Sequence, residues 1–502
     1  MKKCIVLAAI ASAALFSFAG AVSPFHGRRI GVIGDSYVRN HRQKIEDTWH
    51  AKFARKHGME YFNYGRNGNC IAFDRKRFGE SILARYKEMR ADLDYVVVIA
   101  GHNDANYIFK DGGEDGAPVE KQAENLKLFE ERLDELSQKL RERYPMSKIA
   151  FVSPWRVDKP YFSEVIELER KNAEKHGFAF CDASALTGID PNDPGTRKAH
   201  FQSEDDTAHL NPRGHDMALA KFEGFFLSLE PYTMEVVDIW PEGKIPSVQT
   251  NQTIPTLTWY TPAKKTSDSC LIVCPGGGYA KTAAGHEGYP VAGYFASRGM
   301  TVAMLSYRTP RPYGLEKHAT AAQDAQRAVR IVRREAEKRG FSKDKIGMLG
   351  FSAGGHLTLV TATSSETPKY EPVDEIDSES SSLAFAVPVY PAYVLDETGM
   401  DKAARDAQRR DGGEMKFAPE LKFDSHTPPM CLVHGDADGH TPMASVAVYR
   451  ELRRMGIPAE LHVFAKTPHG FGIYKKLTRD MPAWGWPERV QEWLEFMGFA
   501  SR

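Results

Sequence analysis

The 502-residue sequence has no net charge to direct it. Lys plus Arg total 66 and Asp plus Glu total 66, so nothing favours nucleic acid or an anionic membrane surface as a partner. Cysteine is also scarce, with six residues in all. Cys4 falls in the N-terminal segment, and the remaining five (Cys70, Cys181, Cys270, Cys274 and Cys431) are an odd number, which excludes a fully paired disulfide framework within one chain. Cys270 and Cys274 share one apolar, strand-like run, where four residue rises of roughly 13 Å put them too far apart to bridge. Cys70 with Cys181 stays open as a pair. No Cys/His spacing resembles a zinc site, and Asp111 to Asp115 lacks the ligand spacing of a calcium loop. Long apolar runs are missing too, apart from Cys4 to Phe18. That run follows Lys2 and Lys3 and precedes the small residues Ala19-Gly20-Ala21, the pattern of a cleavable export signal over 1–21. The chain is therefore expected to be secreted or periplasmic, with no membrane insertion after signal removal.

The length favours more than one domain, and 42% hydrophobic residues suffice for packed cores. Strand–turn–helix grammar begins at Arg29–Gly34 and continues through Tyr95–Ala100 and Lys148–Val152. Between the last two, Leu126, Leu128, Phe129, Leu133, Leu136 and Leu140 recur near helical period. The pattern restarts at Cys270–Cys274 and runs through Thr301–Leu305, a helix over His318–Lys338, Ile346–Phe351, Ala384–Tyr390 and Met430–His434. Buried strands alternating with amphipathic helices predict parallel sheets, so the class is α/β with two domains, 22–230 and 231–502. The stretch up to about Trp259 reads as a linker plus edge strands of the second domain. Asp396 to Ser425, with Asp411-Gly412-Gly413 inside it, reads as a polar insertion, either a lid or a solvated helical excursion.

A hydroxyl nucleophile needs a base to take its proton and donors to hold the oxyanion. In the first half Gly34-Asp35-Ser36 ends a strand, Asn63 to Gly68 carries glycines, and Gly101-His102-Asn103-Asp104 follows the Val-rich strand. Asp206-Thr207-Ala208-His209 offers a carboxylate and an imidazole three residues apart. These blocks resemble, in order, those of the SGNH or GDSL-like hydrolases over about Arg29 to Leu229. The resemblance implies a flavodoxin-like three-layer α/β/α domain. It implies Ser36 as nucleophile, His209 as base oriented by Asp206, and an oxyanion hole from the N–H groups of Ser36 and Gly68 plus Asn103. Spacing from Asn63 favours Gly68 over Gly65. The sequence departs from the family's usual Leu after the serine, having Tyr37.

In the second half Gly350-Phe351-Ser352-Ala353-Gly354 is a Gly-x-Ser-x-Gly nucleophile elbow. Pro275-Gly276-Gly277-Gly278-Tyr279 follows an earlier strand, and no Lys-Ser or Lys-Thr stands at P-loop spacing after it. His434-Gly435-Asp436-Ala437-Asp438 and Thr467-Pro468-His469 come next in the chain order of acid and base. This half resembles α/β-hydrolase esterases acting on plant polysaccharides and small acyl esters, over about Val236 to Met497. The resemblance implies Ser352 as nucleophile, His469 as base, Asp438 as acid with Asp436 as runner-up, and Gly277, Gly278 and Ala353 as oxyanion donors. Pro275 stands where relatives often carry a His. His286, His318, His356 and His440 read as structural or surface residues.

Together the two halves imply a tandem carbohydrate esterase that cleaves acyl esters, foremost acetyl, on polysaccharides or oligosaccharides, with no cofactor and no metal. Aromatics near the motifs (Tyr37, Trp155, Tyr279, Phe471, Trp484 and Trp486) either face sugar rings or pack the core, with core packing favoured for more than half. A lipid esterase or lysophospholipase, a serine peptidase, and a chain in which one half only binds carbohydrate are the competing readings.

Overall fold

The structure is a computed structural model that describes residues 20–145, 147–186, 188–411, 415–473 and 481–501. The basic start and apolar run of the export signal lie outside the described residues, as do Gly412 and Gly413. Two separate sheets organise the chain. The smaller is built from β2 (Arg29–Gly34), β3 (Glu60–Gly65), β4 (Tyr95–Ile99), β5 (Lys148–Val152) and β6 (Ala179–Cys181), in the order β3-β2-β4-β5-β6. Every pairing in it is parallel. This is the flavodoxin-like order, and the chain changes direction across the sheet between β2 and β4. Open α/β sheets bind ligands at such a switch point, beyond the carboxyl ends of the strands.

β4 reads Tyr-Val-Val-Val-Ile and is buried on both faces, which is why it lacks polar alternation. The helix Val119–Arg143 covers one face by burying Phe129, Leu133, Leu136 and Leu140 at steps of three and four. On the other face Trp49, Phe53, Phe222 and Phe226 form a second apolar layer.

The larger sheet contains β1 (Gly20–Val22), β7 (Tyr232–Asp238), β8 (Thr256–Pro262), β9 (Cys270–Cys274), β10 (Thr301–Ser306), β11 (Ile346–Phe351), β12 (Phe385–Val389), β13 (Met430–Gly435) and β14 (Ala459–Phe464). Its order is β1-β7-β8-β10-β9-β11-β12-β13-β14. The pairings β1·β7, β7·β8 and β8·β10 are antiparallel, and the others are parallel. β1 therefore belongs to the edge of the second sheet although it precedes the first in sequence. The proposed cleavage after residue 21 would take two of its three residues.

Between the sheets, Arg28 is buried beside Tyr95, Glu230 and Tyr232. Lys148 reaches the same carboxylate at 2.7 Å. Burial alone would raise the Glu230 pKa, but Arg28 and Lys148 outweigh it and hold the carboxylate below its ordinary value. The five described cysteines are all buried and unpaired, so Cys70 and Cys181 do not bridge. Among the described residues no helix is long and apolar enough to cross a membrane.

Candidate functional site

Two hydroxyl–imidazole–carboxylate rows sit beyond strand ends, one on each sheet. In the first, β2 ends at Gly34, and a Cβ there would stand 2.0 Å from the Ile99 carbonyl oxygen. Glycine thus lets β2 and β4 close up where the chain turns. Asp35 caps the short helix Ser36–Arg39 by accepting from the Tyr37 N–H at 2.9 Å. Ser36 Oγ lies 2.7 Å from His209 Nε2, and His209 Nδ1 lies 2.8 Å from Asp206 Oδ2. A carboxylate only accepts, so Nδ1 carries the proton and Nε2 accepts from the serine hydroxyl. Burial works to raise the Asp206 pKa, but the hydrogen bonds from the His209 ring and from the His209 and Ala208 N–H groups prevail and keep it low. Trp155 Nε1 donates to the Ala208 carbonyl oxygen at 2.9 Å, which pins the loop carrying His209.

Asn103 lies in the first turn of the helix His102–Lys110, directly after β4. Its Nδ2 donates to Asp35 Oδ2 at 2.9 Å, and its Oδ1 accepts from Arg75 Nη1 at 3.3 Å. The same Arg75 nitrogen donates to the Gly68 carbonyl oxygen at 3.1 Å. Gly68 has φ +71°, and a Cβ there would meet the Phe78 ring at 2.3 Å, so the position is restricted to glycine twice over. Gly65 differs: its N–H is spent on Asn63 Oδ1 at 3.0 Å. Burial pushes the Asp35 carboxyl up to about 7, against the Tyr37 N–H, His209 and Asn103.

In the second row Ser352 occupies φ 51°, ψ −114° between β11 and the helix Ala353–Thr363. That strained turn needs small neighbours. A Cβ on Gly350 would stand 2.1 Å from the Gly354 carbonyl oxygen, and one on Gly354 2.2 Å from that of Cys274. Ser352 Oγ donates to His469 Nε2 at 2.8 Å, and His469 Nδ1 donates to Asp438 Oδ2 at 2.7 Å. Asp436 is exposed and makes no such contact. His434 Nε2 also lies 3.2 Å from Asp438 Oδ2. Burial works to raise the Asp438 pKa, but the nearby His434 ring and the hydrogen bond from His469 hold the carboxylate far below its usual range.

The glycine loop beside Ser352 is held residue by residue. Tyr307 donates to the Pro275 carbonyl oxygen at 2.7 Å, the Gly276 N–H donates to buried Glu287 at 2.8 Å, and Arg311 Nε donates to the Gly278 carbonyl oxygen at 2.8 Å. Gly277 and Gly278 have φ +121° and +64°. Tyr279 follows at φ +60°, with its hydroxyl 2.8 Å from His356 Nδ1. Ala353 opens the helix, so its N–H lies at the positive end of the helix dipole. None of Arg75, Glu287, His356 or Arg311 stands out in the sequence as a partner of these motifs, because each contact depends on how the intervening loops fold.

Five of the six motif-adjacent aromatics (Tyr37, Trp155, Tyr279, Phe471 and Trp486) are buried, so they pack the core and do not face a substrate. The insertion after Asp396 forms a wall: Asp396, Glu397, Arg409 and Glu420 line a cavity of about 670 Å³ together with His318 and Tyr393. His440 lines it too, with its ring 4.7 Å from that of His469. Cys431, Glu460 and His462 bring potential ligand atoms within 4.8 Å of one another. Burial pushes the Cys431 thiol far above its ordinary pKa, which disfavours the thiolate a soft metal needs, and His462 already donates to Glu460 at 2.7 Å.

Two family models match the chain, the GDSL-like lipase/acylhydrolase family over 32–217 and BD-FAE over 257–452. An acetylxylan esterase of Xylanibacter ruminicola is 25% identical over 233 residues, covering 43% of this chain and 45% of that protein. Endo-1,4-beta-xylanase B of Butyrivibrio fibrisolvens is 27% identical over 242 residues, covering 47% of this chain and 38% of that protein. The chain thus spans less than half the length of these two relatives. Among solved structures, an acetyl ester-xyloside bifunctional hydrolase from Caldicellulosiruptor lactoaceticus is 29% identical, with a TM-score of 0.44 over 53% of this chain and 97% of that one.

Proposed function

We propose that this chain, in which a GDSL-like lipase/acylhydrolase domain precedes a BD-FAE domain of α/β-hydrolase type, is an exported esterase with two active serines that removes acyl groups, foremost acetyl, from polysaccharides or oligosaccharides. The observation that carries this reading is the repeated geometry: each serine hydroxyl sits within 2.8 Å of an imidazole whose other nitrogen meets a carboxylate.

In each site the serine oxygen attacks the ester carbonyl while its proton passes to Nε2 of the histidine. The carbonyl electron pair moves onto oxygen, where backbone N–H groups and, in the first site, the Asn103 amide receive it. Collapse of this intermediate breaks the bond to the sugar oxygen, which takes the proton from the imidazolium. Water then attacks the acyl-serine with the histidine again as base, and the carboxylic acid leaves. Asp206 and Asp438 stay ionised and hold each imidazole in the tautomer that accepts from serine. Oxyanion donors of this kind contribute about 10² to 10³ each in rate.

The polysaccharide assignment draws on the likeness to an acetylxylan esterase and on the export signal read over 1–21. Two esterase sites on one chain also raise the local concentration of each for a polymer bearing many esters. The test uses Ser36→Ala, Ser352→Ala and the double variant on acetylated xylan, a feruloylated ester, a lysolipid and a dipeptide amide. Each single variant retains part of the acetate release and the double variant loses it. Unchanged turnover in the double variant, or preference for the lysolipid or amide, overturns the reading.

A further inference from the structure

The large apolar side chains left open to solvent are not scattered evenly. Four of the eight among the described residues (Val248, Ile254, Tyr313 and Leu315) lie on two segments, 246–254 and 308–315, that run beside each other. Tyr313 is the most open, at 91% exposure. Scattered single apolar residues need no explanation, whereas a cluster beside a cavity marks a contact surface.

The segments are laced together by backbone and amide contacts. The Thr253 N–H donates to the Thr309 carbonyl oxygen at 2.8 Å, and Gln252 Nε2 donates to that of Pro310 at 2.7 Å. Gln249 grips Tyr313 from both sides: the Tyr313 N–H donates to Gln249 Oε1 at 2.9 Å, and Gln249 Nε2 donates to the Tyr313 carbonyl oxygen at 3.1 Å. Pro312 is buried beneath. The Tyr313 backbone is therefore fixed while its ring projects into water, and a fixed platform loses little entropy when something lies down on it.

The loop also places that ring. Arg311, two residues before, bonds the Gly278 carbonyl oxygen of the glycine loop, and Glu316, three residues after, lines the cavity whose His440 ring stands 4.7 Å from that of His469. A polymer whose ester reaches Ser352 extends its neighbouring residues over this rim. We propose that Tyr313, with Leu315 and Val248 beside it, is a stacking subsite for a pyranose ring of the polysaccharide, outside the cavity that Glu316 and His440 line. This rests on the polysaccharide reading above. An aromatic face matches the C–H face of a pyranose, and the flanking Gln249, Glu316 and Lys317 suit its hydroxyl edge.

The test uses the full chain with Ser36→Ala, so that only the second serine reports. Tyr313→Ala raises the KM for acetylated xylan roughly fivefold, about the value of one aromatic stack, and leaves kcat and the KM for p-nitrophenyl acetate unchanged. Tyr313→Phe and Tyr313→Trp restore the polymer KM, which separates stacking from a role of the hydroxyl. In native gels cast with xylan, the Ser36→Ala/Ser352→Ala chain is retarded, and adding Tyr313→Ala relieves the retardation. An unchanged polymer KM together with unchanged retardation overturns the subsite, as does a parallel rise in the small-ester KM. Loss of binding to phosphatidylcholine vesicles in place of xylan overturns it in favour of a lipid surface. Retardation that depends on Tyr313 without any acetate release overturns the esterase reading and leaves the subsite standing.

Discussion

Arg75 stands 3.3 Å from the Oδ1 of Asn103, and this one contact fixes which way the amide points. A guanidinium can only donate, so Asn103 must turn Oδ1 to Arg75, and this leaves Nδ2 to donate to Asp35. The NH₂ group keeps a second hydrogen to offer. Because Arg75 also donates to the Gly68 carbonyl oxygen, one side chain touches both residues proposed as oxyanion donors outside the turn of Ser36.

Arg75→Ala, studied in the Ser352→Ala background, lowers kcat of the first site by about 10-fold to 100-fold with little change in KM, since less is lost than when a donor itself is deleted. Millimolar guanidinium restores part of the loss, and Arg75→Lys is intermediate. Equal kcat in Arg75→Ala and its parent removes the positioning role.

The second site offers two carboxylates two residues apart, and their environments separate them. Asp438 is buried, receives the His469 Nδ1–H at 2.7 Å and takes the His440 N–H at 2.7 Å, whereas Asp436 is exposed. In the Ser36→Ala background Asp438→Asn reduces kcat by about 10⁴, because an amide NH₂ facing Nδ1 favours the wrong imidazole tautomer. Asp436→Asn stays within about twofold, as expected of a surface change. Steady-state kinetics on a small acetyl ester decide between them, and the reverse ranking would make Asp436 the acid.

How far the sequence carries follows from how local each feature is. Gly34-Asp35-Ser36 and Gly350 to Gly354 are legible because a strand end, a tight turn and a helix start are written in consecutive residues. That these strands run parallel follows from the alternation of buried runs with helices such as Val119–Arg143, whereas their order does not. The contacts that hold these motifs are not legible, because Arg75 to Asn103, Gly276 to Glu287 and Tyr279 to His356 depend on which loops the sheets bring together. The aromatics show the same limit. Tyr37 follows Ser36 directly and Trp155 follows the end of β5, but both turn into the core, since the apolar layer continues up to the strand ends. Tyr313, in a segment with no motif, faces out.

His102 links the first site to pH. Burial drives its pKa down to about 3, with Lys159 and His209 adding to the shift, while Asp206 opposes it. An unfolded histidine titrates near 6.5, so below that pH the unfolded chain binds a proton that the folded chain refuses. Stability contributed by a neutral His102 is complete above about pH 6.5 and falls as the pH drops toward 3. Between pH 7 and pH 5 the loss amounts to about 2 kcal/mol for one such group. Gln has no proton to gain, so His102→Gln is less stable than its parent at pH 7 but loses about 2 kcal/mol less on going to pH 5. Urea unfolding at the two pH values measures this, and identical pH dependence in parent and variant would show that His102 titrates normally.

The Tyr279 backbone sits at φ +60°, a region that costs a side chain with a Cβ energy and persists only where the surroundings enforce it. The enforcing contact is a buried relay. Tyr279 donates from its hydroxyl to His356 Nδ1 at 2.8 Å, and His356 Nε2 donates to Glu420 at 3.1 Å. Burial keeps His356 from protonating despite that carboxylate, and Glu420 is itself held down to about 2: burial opposes this, and the hydrogen bond from His356 leads the groups that outweigh it. The relay therefore has a fixed direction, with one proton on each donor. Tyr279→Phe removes the first link, leaves His356 Nδ1 buried without a donor, and costs about 1–3 kcal/mol of stability. Because Gly277 and Gly278 precede Tyr279 directly, relaxation of its backbone displaces the N–H groups proposed to receive the oxyanion. In the Ser36→Ala background kcat therefore falls by more than KM rises. Glu420→Gln still accepts from His356 through its amide oxygen and retains most of the rate. Thermal unfolding and steady-state kinetics on p-nitrophenyl acetate read the two effects separately. A Tyr279→Phe chain that is destabilised yet turns over at the parental rate would reduce the relay to a packing element without influence on the oxyanion loop.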